Sequence, residues 1–198
     1  MRGLEHIPWV YDAFMSLFEW TGLARWRAWL VGGARGRTLE VGCGTGRNLP
    51  LYDPGARVVA LELDRHVLRA ARRRAGHVPI VVGNAEDLPF GDRTFDTVVS
   101  GLVFCSVRDV ARGLREVRRV LRPDGKFRLI EHVRSRSSAG AAIQDAIQPA
   151  WTWITGGCHP NRDTEAAVEA AGFSIDPRTL RARNNMRRFV ARRRETEA

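Results

Sequence analysis

The segment Leu39-Glu40-Val41-Gly42-Cys43-Gly44-Thr45-Gly46 constrains this chain more than any other. Arg37 to Val41 reads as a short strand, and it ends in glycines at alternate positions. A backbone without Cβ atoms can turn tightly there and approach a ligand closely. Arg47 to Leu51 then begins a short helix, so the order is strand, turn, helix. The order recurs: Arg57 to Leu63 is strand, Asp64 to Ala75 is helix with Asp64 as N-cap, and Pro79 to Val82 is strand again. Phe95 to Ser100 is a β-branched run. Val107 to Leu121 carries apolar residues at Val110, Leu114, Val117 and Leu121, and Lys126 to Val133 is a strand after the turn Pro123-Asp124-Gly125. Such alternation predicts βαβ units on a parallel sheet, hence an α/β fold.

Two aromatic-rich segments, roughly 8–19 and 23–34, precede this frame and predict flanking or lid helices. After it come a Gly/Ser-rich joint near Ser135 to Gly140, an amphipathic stretch to Ile154, and a helix at Asp163 to Ala171. Two late strands follow, near Phe173 to Leu180 and Met186 to Arg193. They have no helix between them, which requires a hairpin.

With 198 residues and 44% hydrophobic content, the chain fits one domain, 1–198, around one core. The stretch Ile7 to Leu30 is broken by Asp12, Glu19, Arg25 and Arg27, so it reads as amphipathic helix and not as a membrane span. Its start lacks the features of a secretory signal, which places the chain in the cytoplasm. The aromatic stripe suits core packing, and it leaves peripheral contact with a membrane surface open. Cys43, Cys105 and Cys158 form no CxxC pair. Reduced, buried thiols are expected, with no structural metal site. The net charge of +10 raises nucleic acid as a partner. Arginine replaces lysine almost everywhere, Lys126 being the only lysine, and the basic residues are scattered over helix faces. A nucleic-acid partner is therefore disfavoured.

Three signals mark a site. The glycine bend is the first. Arg47 stands where a GxGxxG dinucleotide fingerprint needs a small residue, so a pyrophosphate fits poorly, and no GK[ST] follows. The second is Glu62, at the tip of the second strand and 20 positions after Gly42. An acid there can accept both ribose hydroxyls of an adenosine at the switch point of the sheet. The third is Asn84 and Ala85, just past the third strand, where a side-chain amide and backbone N–H groups can read an adenine edge.

In series, LEVGCGTGRNL, VVALELDRHVL and GNAEDLPFGDRTFDTVV resemble the class I S-adenosylmethionine methyltransferases, and the likeness extends through LREVRRVLRPDGKFRLIEH. More narrowly, LVFCSV, IEHV and GGCHPNRDTEAAVEAAGF resemble the methyltransferase-like 7 group of thiol methyltransferases and its small bacterial relatives. The resemblance implies a Rossmann-like, doubly wound seven-stranded sheet of order 3-2-1-4-5-7-6 with strand 7 antiparallel. Residues 1–36 are then lid helices, 37–134 the cofactor-binding core, and 135–198 the acceptor-side helices and C-terminal hairpin. It implies S-adenosyl-L-methionine as cofactor and S-adenosyl-L-homocysteine as product. Glu40 would hold the methionine amino group through water, and Gly42 and Gly44 would face the amino-acid part. Glu62 would bind the ribose, Asn84 and Ala85 the adenine, and Ser100 and Gly101 would flank the methionine, with Tyr11 closing over it. Cys43, Gly46, Asn48, Leu63 and Glu86 complete the expected cofactor shell. Asn84 departs from the aspartate more usual at its position.

A sulfonium methyl is already activated, so in-line transfer needs mainly alignment in a water-poor pocket. A thiol acceptor must react as thiolate, and His132 and His159 are the available bases. Cys105 and Cys158 are read as packing residues. The expected acceptor is a small molecule, with a thiol, a quinone or a phospholipid as alternatives. An RNA methyltransferase is the weaker rival: the [ND]PP[YF] arrangement is replaced by Ser100-Gly101-Leu102-Val103, and Cys105 has no proline beside it. A silent cofactor-binding protein would share the same fold.

Overall fold

Four of the five residues of β1 (Arg37–Val41) are buried, the mark of a strand covered on both faces. The computed structural model describes residues 22–155 and 157–194. The elements around β1 are α1 (Ala24–Gly32), a 3₁₀ turn at Leu49–Leu51, β2 (Arg57–Glu62), α2 (Arg65–Arg74), β3 (Ile80–Val82), β4 (Phe95–Gly101) and α3 (Val110–Val120). Then follow β5 (Leu121–His132), α4 (Ser138–Thr155), α5 (Thr164–Ala170), β6 (Phe173–Ile175), β7 (Arg181–Arg183) and β8 (Met186–Arg193). The first aromatic segment, with Trp9, Tyr11, Phe14 and Phe18, lies outside the described residues.

The sheet runs β3-β2-β1-β4-β5-β8-β6. Its strands are parallel from β3 to β5, and β8 is antiparallel to β5, β6 and β7. This is the expected doubly wound order with one correction: eight strands are described where seven are implied. The strand expected over Phe173 to Leu180 is interrupted because Pro177 cannot donate to a ladder and Asp176 folds the chain back, accepting from Arg178 N and Thr179 N. The chain resumes pairing with the same partner as β7, so the edge position is filled in two pieces. A two-residue turn, Asn184-Asn185, closes the β7–β8 hairpin, with Asn184 at φ 51°.

Side-chain alternation sends Leu39, Val41, Val98, Phe127 and Leu129 to one face, under α3 and α5. Ala60, Val99 and Ile130 point to the other, beneath α1 and α2. Three helix starts are capped by aspartates, of which Asp64 is the one expected as a cap above. Asp64 accepts from His66 N and Asp163 from Ala166 N, and Asp109 accepts from Arg112 N and moves the start of α3 to Val110. Arg128 of β5 donates to the Leu30 carbonyl and stacks over Trp29, and Arg188 also lies over Trp29, which fixes α1 on the sheet. On α4, Ile143 and Trp153 are more than 60% exposed. Among the described residues no helix is long and apolar enough to cross a membrane.

Candidate active site

In an open parallel sheet the crevice for a ligand lies at the carboxyl ends of the strands where the chain reverses its winding, here between β1 and β4. The glycine bend sits at that point. Gly42, Gly44 and Gly46 adopt φ of 63°, 56° and 79°, a region that L side chains rarely enter. A Cβ on Gly42 would lie 2.6 Å from Val103 Cγ2, and one on Gly46 would lie 2.9 Å from the Cα of Ala71 in α2. At Gly44 nothing stands within 4 Å. The outer glycines therefore serve packing, and the middle one opens a space. Gly46→Ala is expected to cost about 2–3 kcal/mol of stability and Gly44→Ala only about 1. Parallel urea melts check this, and equal losses would contradict it.

Glu62 closes one side of the bend. Its Oε2 accepts from Gly44 N at 2.9 Å, and its Oε1 accepts from Leu63 N and Asp64 N at 2.8 and 2.9 Å. Oε1 is thereby saturated, and Oε2 keeps a lone pair for a further donor. Leu63 beside it is 64% exposed, an apolar surface at the rim. Cys43 is buried under the bend, where desolvation pushes its thiol up.

Behind the bend lies a buried polar chain. Asn48 Nδ2 donates to Glu40 Oε1 at 2.9 Å, and Arg27 Nη1 donates to Asn48 Oδ1 at 2.9 Å. Burial raises the Glu40 carboxyl from 4.5 to about 7, against the lowering effects of Asn48, Tyr52 and Arg27. Glu40 Oε2 is buried without a well-formed hydrogen bond, facing the equally buried Tyr52 hydroxyl. The structure thus places Asn48 as the support of Glu40, and Arg27 and Tyr52, which sequence reasoning passed over, around it.

Past β3, Asn84 Oδ1 accepts from Glu86 N, so its side chain shapes the turn, and Ala85 is buried. Glu86 Oε1 accepts from Arg108 N and Asp109 N and is engaged at the start of α3. At the tip of β4, Ser100 is buried and donates to Glu131 Oε1. Leu102 holds φ 63°, a strained conformation for a leucine, next to Gly101. Glu131, fully buried on β5, also accepts from Val103 N and Phe104 N at 3.0 Å and from Cys105 N at 3.2 Å. One carboxylate thus organises the loop after β4, even though burial raises its pKa.

Next to that loop, three chain segments converge. Cys158 Sγ lies 3.7 Å from His132 Nδ1, and the reactive atoms of Cys105, His132 and Cys158 all fall within 4.8 Å of one another. The contact from Cys105 holds the Cys158 thiol below the usual thiol range, with His132 helping, and pushes Cys105 up. All three cysteines are free and buried. His159 Nδ1 is engaged with Gly157 O at 2.7 Å, and its backbone N donates to Cys105 O. Arg162 Nη1 donates to the Phe104 carbonyl at 2.7 Å, which places a guanidinium beside the two sulfurs. Surface hollows of about 790 and 630 Å³ lie elsewhere, lined by Tyr52, Asp53 and His77 and by Asp92, Arg118 and Arg193, and neither takes in the glycine bend.

Residues 39–129, from the middle of β1 through β5, match the methyltransferase domain family. Over those residues the chain belongs to that family. The human thiol S-methyltransferase TMT1A is 39% identical over 144 residues, covering 69% of this chain and 59% of its own length. A demethylmenaquinone methyltransferase from Symbiobacterium thermophilum is 35% identical over 139 residues, covering 61% of this chain and 54% of its own. The chain spans about three-fifths of the length of the human thiol methyltransferases that it matches. A SAM-dependent methyltransferase of known structure from Thermotoga maritima superposes with a TM-score of 0.73 at 20% identity, covering 96% of this chain and 97% of the other, which shows the shared fold. The methyltransferase domain holds the bend, Glu62, Asn84 and Ser100. His132, Cys158 and His159 fall beyond the matched residues.

Proposed function

We propose that the protein is an S-adenosylmethionine-dependent methyltransferase that acts on a small-molecule thiol. The observation that carries this reading is the open space at Gly44, whose backbone N–H is held by the Glu62 carboxylate, at the switch point of a sheet whose residues 39–129 match the methyltransferase domain family. The residues fit the cofactor. Glu62 Oε2 offers a spare lone pair to a ribose hydroxyl, Leu63 offers exposed apolar surface to adenine, and the buried Glu40 carboxyl stands behind the bend at the methionine end. Asn84 shapes the adenine side, and Ser100 and Gly101 flank the methionine side. The cofactor supplies an electrophilic methyl group on a sulfonium. The chain's own task is alignment and exclusion of water.

A thiol reacts as thiolate, so the acceptor side has to take up or displace a proton. His132 and His159 and the Arg162 guanidinium stand on that side. The likeness to the thiol methyltransferases supports the thiol class. The test is transfer of labelled methyl from S-adenosylmethionine to a panel of small thiols, quinols and amines. Transfer to thiols is expected, and transfer confined to quinols would replace this reading by the quinone one.

Glu40 gives the site a pH dependence. A cationic amino group nearby favours the carboxylate, so binding below pH 7 expels a proton and affinity rises with pH. Kd for S-adenosylmethionine is expected to tighten about tenfold between pH 5.5 and 7.5, because the free carboxyl titrates at about 7. Stability of the free protein runs the other way. The folded state keeps the proton that the unfolded state loses above 4.5, so stability falls as pH rises through that window. Calorimetry with Glu40→Gln should show a flat affinity, and an unchanged slope would remove Glu40 from the role.

A further inference from the structure

We propose that Cys105, His132 and Cys158 form a zinc site, bound through Sγ, Nδ1 and Sγ, whose fourth position takes the sulfur of the acceptor thiol. The ligand set rests on geometry alone, while the fourth ligand rests on the thiol reading above. This is the single group of three metal-ligating side chains gathered so closely among the described residues. Tetrahedral zinc with Zn–S of about 2.3 Å and Zn–N of about 2.0–2.1 Å has edges of about 3.6–3.8 Å between ligand atoms. The Cys158–His132 edge is already 3.7 Å, and the others need close by no more than about 1 Å from the 4.8 Å limit. Two sulfurs and one imidazole nitrogen suit zinc over magnesium or calcium, which prefer oxygen. Three protein ligands with an open position are the pattern of a catalytic site, not of a structural one.

The surroundings fit that role. Both cysteine backbones are fixed: Cys105 N donates to Glu131 Oε2, Cys105 O accepts from His159 N, and Cys158 O accepts from Thr152 Oγ1 at 2.9 Å. Outer contacts of this kind orient ligands. Two thiolates neutralise a divalent ion, a third sulfur adds one negative charge, and the Arg162 guanidinium beside the sulfurs offsets it. The buried Trp151 indole N–H faces Cys158 and can donate to a metal-bound thiolate. Cys105 and Cys158 are buried while His132 is only partly buried, so the group lies at the edge of the interior.

The chemistry balances. Metal binding sends the Cys105 and Cys158 protons to solvent, and coordination of R–SH releases its proton likewise. The acceptor sulfur forms the new S–C bond as the sulfonium S–C bond breaks, and that electron pair stays on the sulfur of S-adenosylhomocysteine. The thioether formed carries no charge and leaves as a weaker ligand than the thiolate.

The experiment uses the full chain, purified as produced and after chelation. About one zinc per chain is expected, and cobalt(II) added to the chelated protein should give thiolate charge-transfer and tetrahedral d–d bands. X-ray absorption should report two sulfurs and one nitrogen, with a third sulfur gained on adding 2-mercaptoethanol. Cys158→Ser and His132→Ala should lose cobalt affinity at least tenfold while keeping their circular dichroism and their affinity for S-adenosylhomocysteine. Wild-type protein that takes up neither ion, or that shows a Cys105–Cys158 disulfide in a non-reducing digest, overturns the site. Metal bound with no third sulfur from any thiol overturns the fourth ligand. A third sulfur without methyl transfer counts against the proposed activity and leaves the site standing.

Discussion

Glu131→Ala is expected to lower the free energy of unfolding by about 3–5 kcal/mol, among the largest losses a single substitution here can cause. The carboxylate accepts from Ser100 Oγ and from the backbone N–H groups of Val103, Phe104 and Cys105, and all of these contacts are in or next to the buried core. Truncation leaves those donors without acceptors, each at about 1–3 kcal/mol before the loop relaxes or water enters. Glu131→Gln keeps one carbonyl oxygen but turns an amide N–H toward an N–H donor, so it should fall between the two. Urea unfolding reads the effect as a shift in midpoint with unchanged m-value. A loss below about 1 kcal/mol would mean that the loop after β4 holds itself.

Glu62→Ala is expected to weaken S-adenosylmethionine binding by about 1–3 kcal/mol, roughly 5- to 150-fold, as ribose hydroxyls lose a charged acceptor. The same change frees the Gly44, Leu63 and Asp64 N–H groups, so the bend loosens as well. Comparison with Asn84→Ala separates the two contributions. That side chain shapes its own turn through Glu86 N, so it should cost adenine positioning while leaving the glycine bend intact. Calorimetry on folded protein checks both, and an unchanged Kd for Glu62→Ala removes that residue from the site.

The parts of this molecule legible in its sequence are those fixed by near neighbours. The short apolar or β-branched runs of β1, β2 and β4, the cap Asp64, and the glycines after β1 each depend on local geometry, and the structure has them where residue type and turn chemistry put them. The absence of a helix before β8 was enough to require an antiparallel edge. Local signals failed where a break was subtle. Asp176 and Pro177 split an apparently continuous strand, and the expected turn Pro123-Asp124-Gly125 is instead a bulge inside β5, which pairs from Leu121.

The acceptor side was the least legible, for a topological reason. Cys105 follows β4, His132 ends β5 and Cys158 follows α4, so no spacing rule connects them, and only the β4–β5 pairing and the return of α4 bring them within 4.8 Å. Read singly, each was a buried thiol or a strand-end histidine. Glu131 lies within the IEHV segment, but three of its four partners are backbone amides, which have no letter in the sequence. Arg27 and Tyr52 reach Glu40 from α1 and from the segment after the 3₁₀ turn, again across chain distance. Conversely, Asn48 and Glu86 carry the right chemistry for a ligand, yet the structure engages them with Glu40 and with the start of α3.

The most direct test is isothermal titration of the protein with S-adenosylhomocysteine beside NAD and ATP. One saturable site for S-adenosylhomocysteine is expected, weakened in Glu62→Ala, with no comparable heat from either phosphate-bearing ligand. No heat with S-adenosylhomocysteine together with tight binding of NAD or ATP would contradict it.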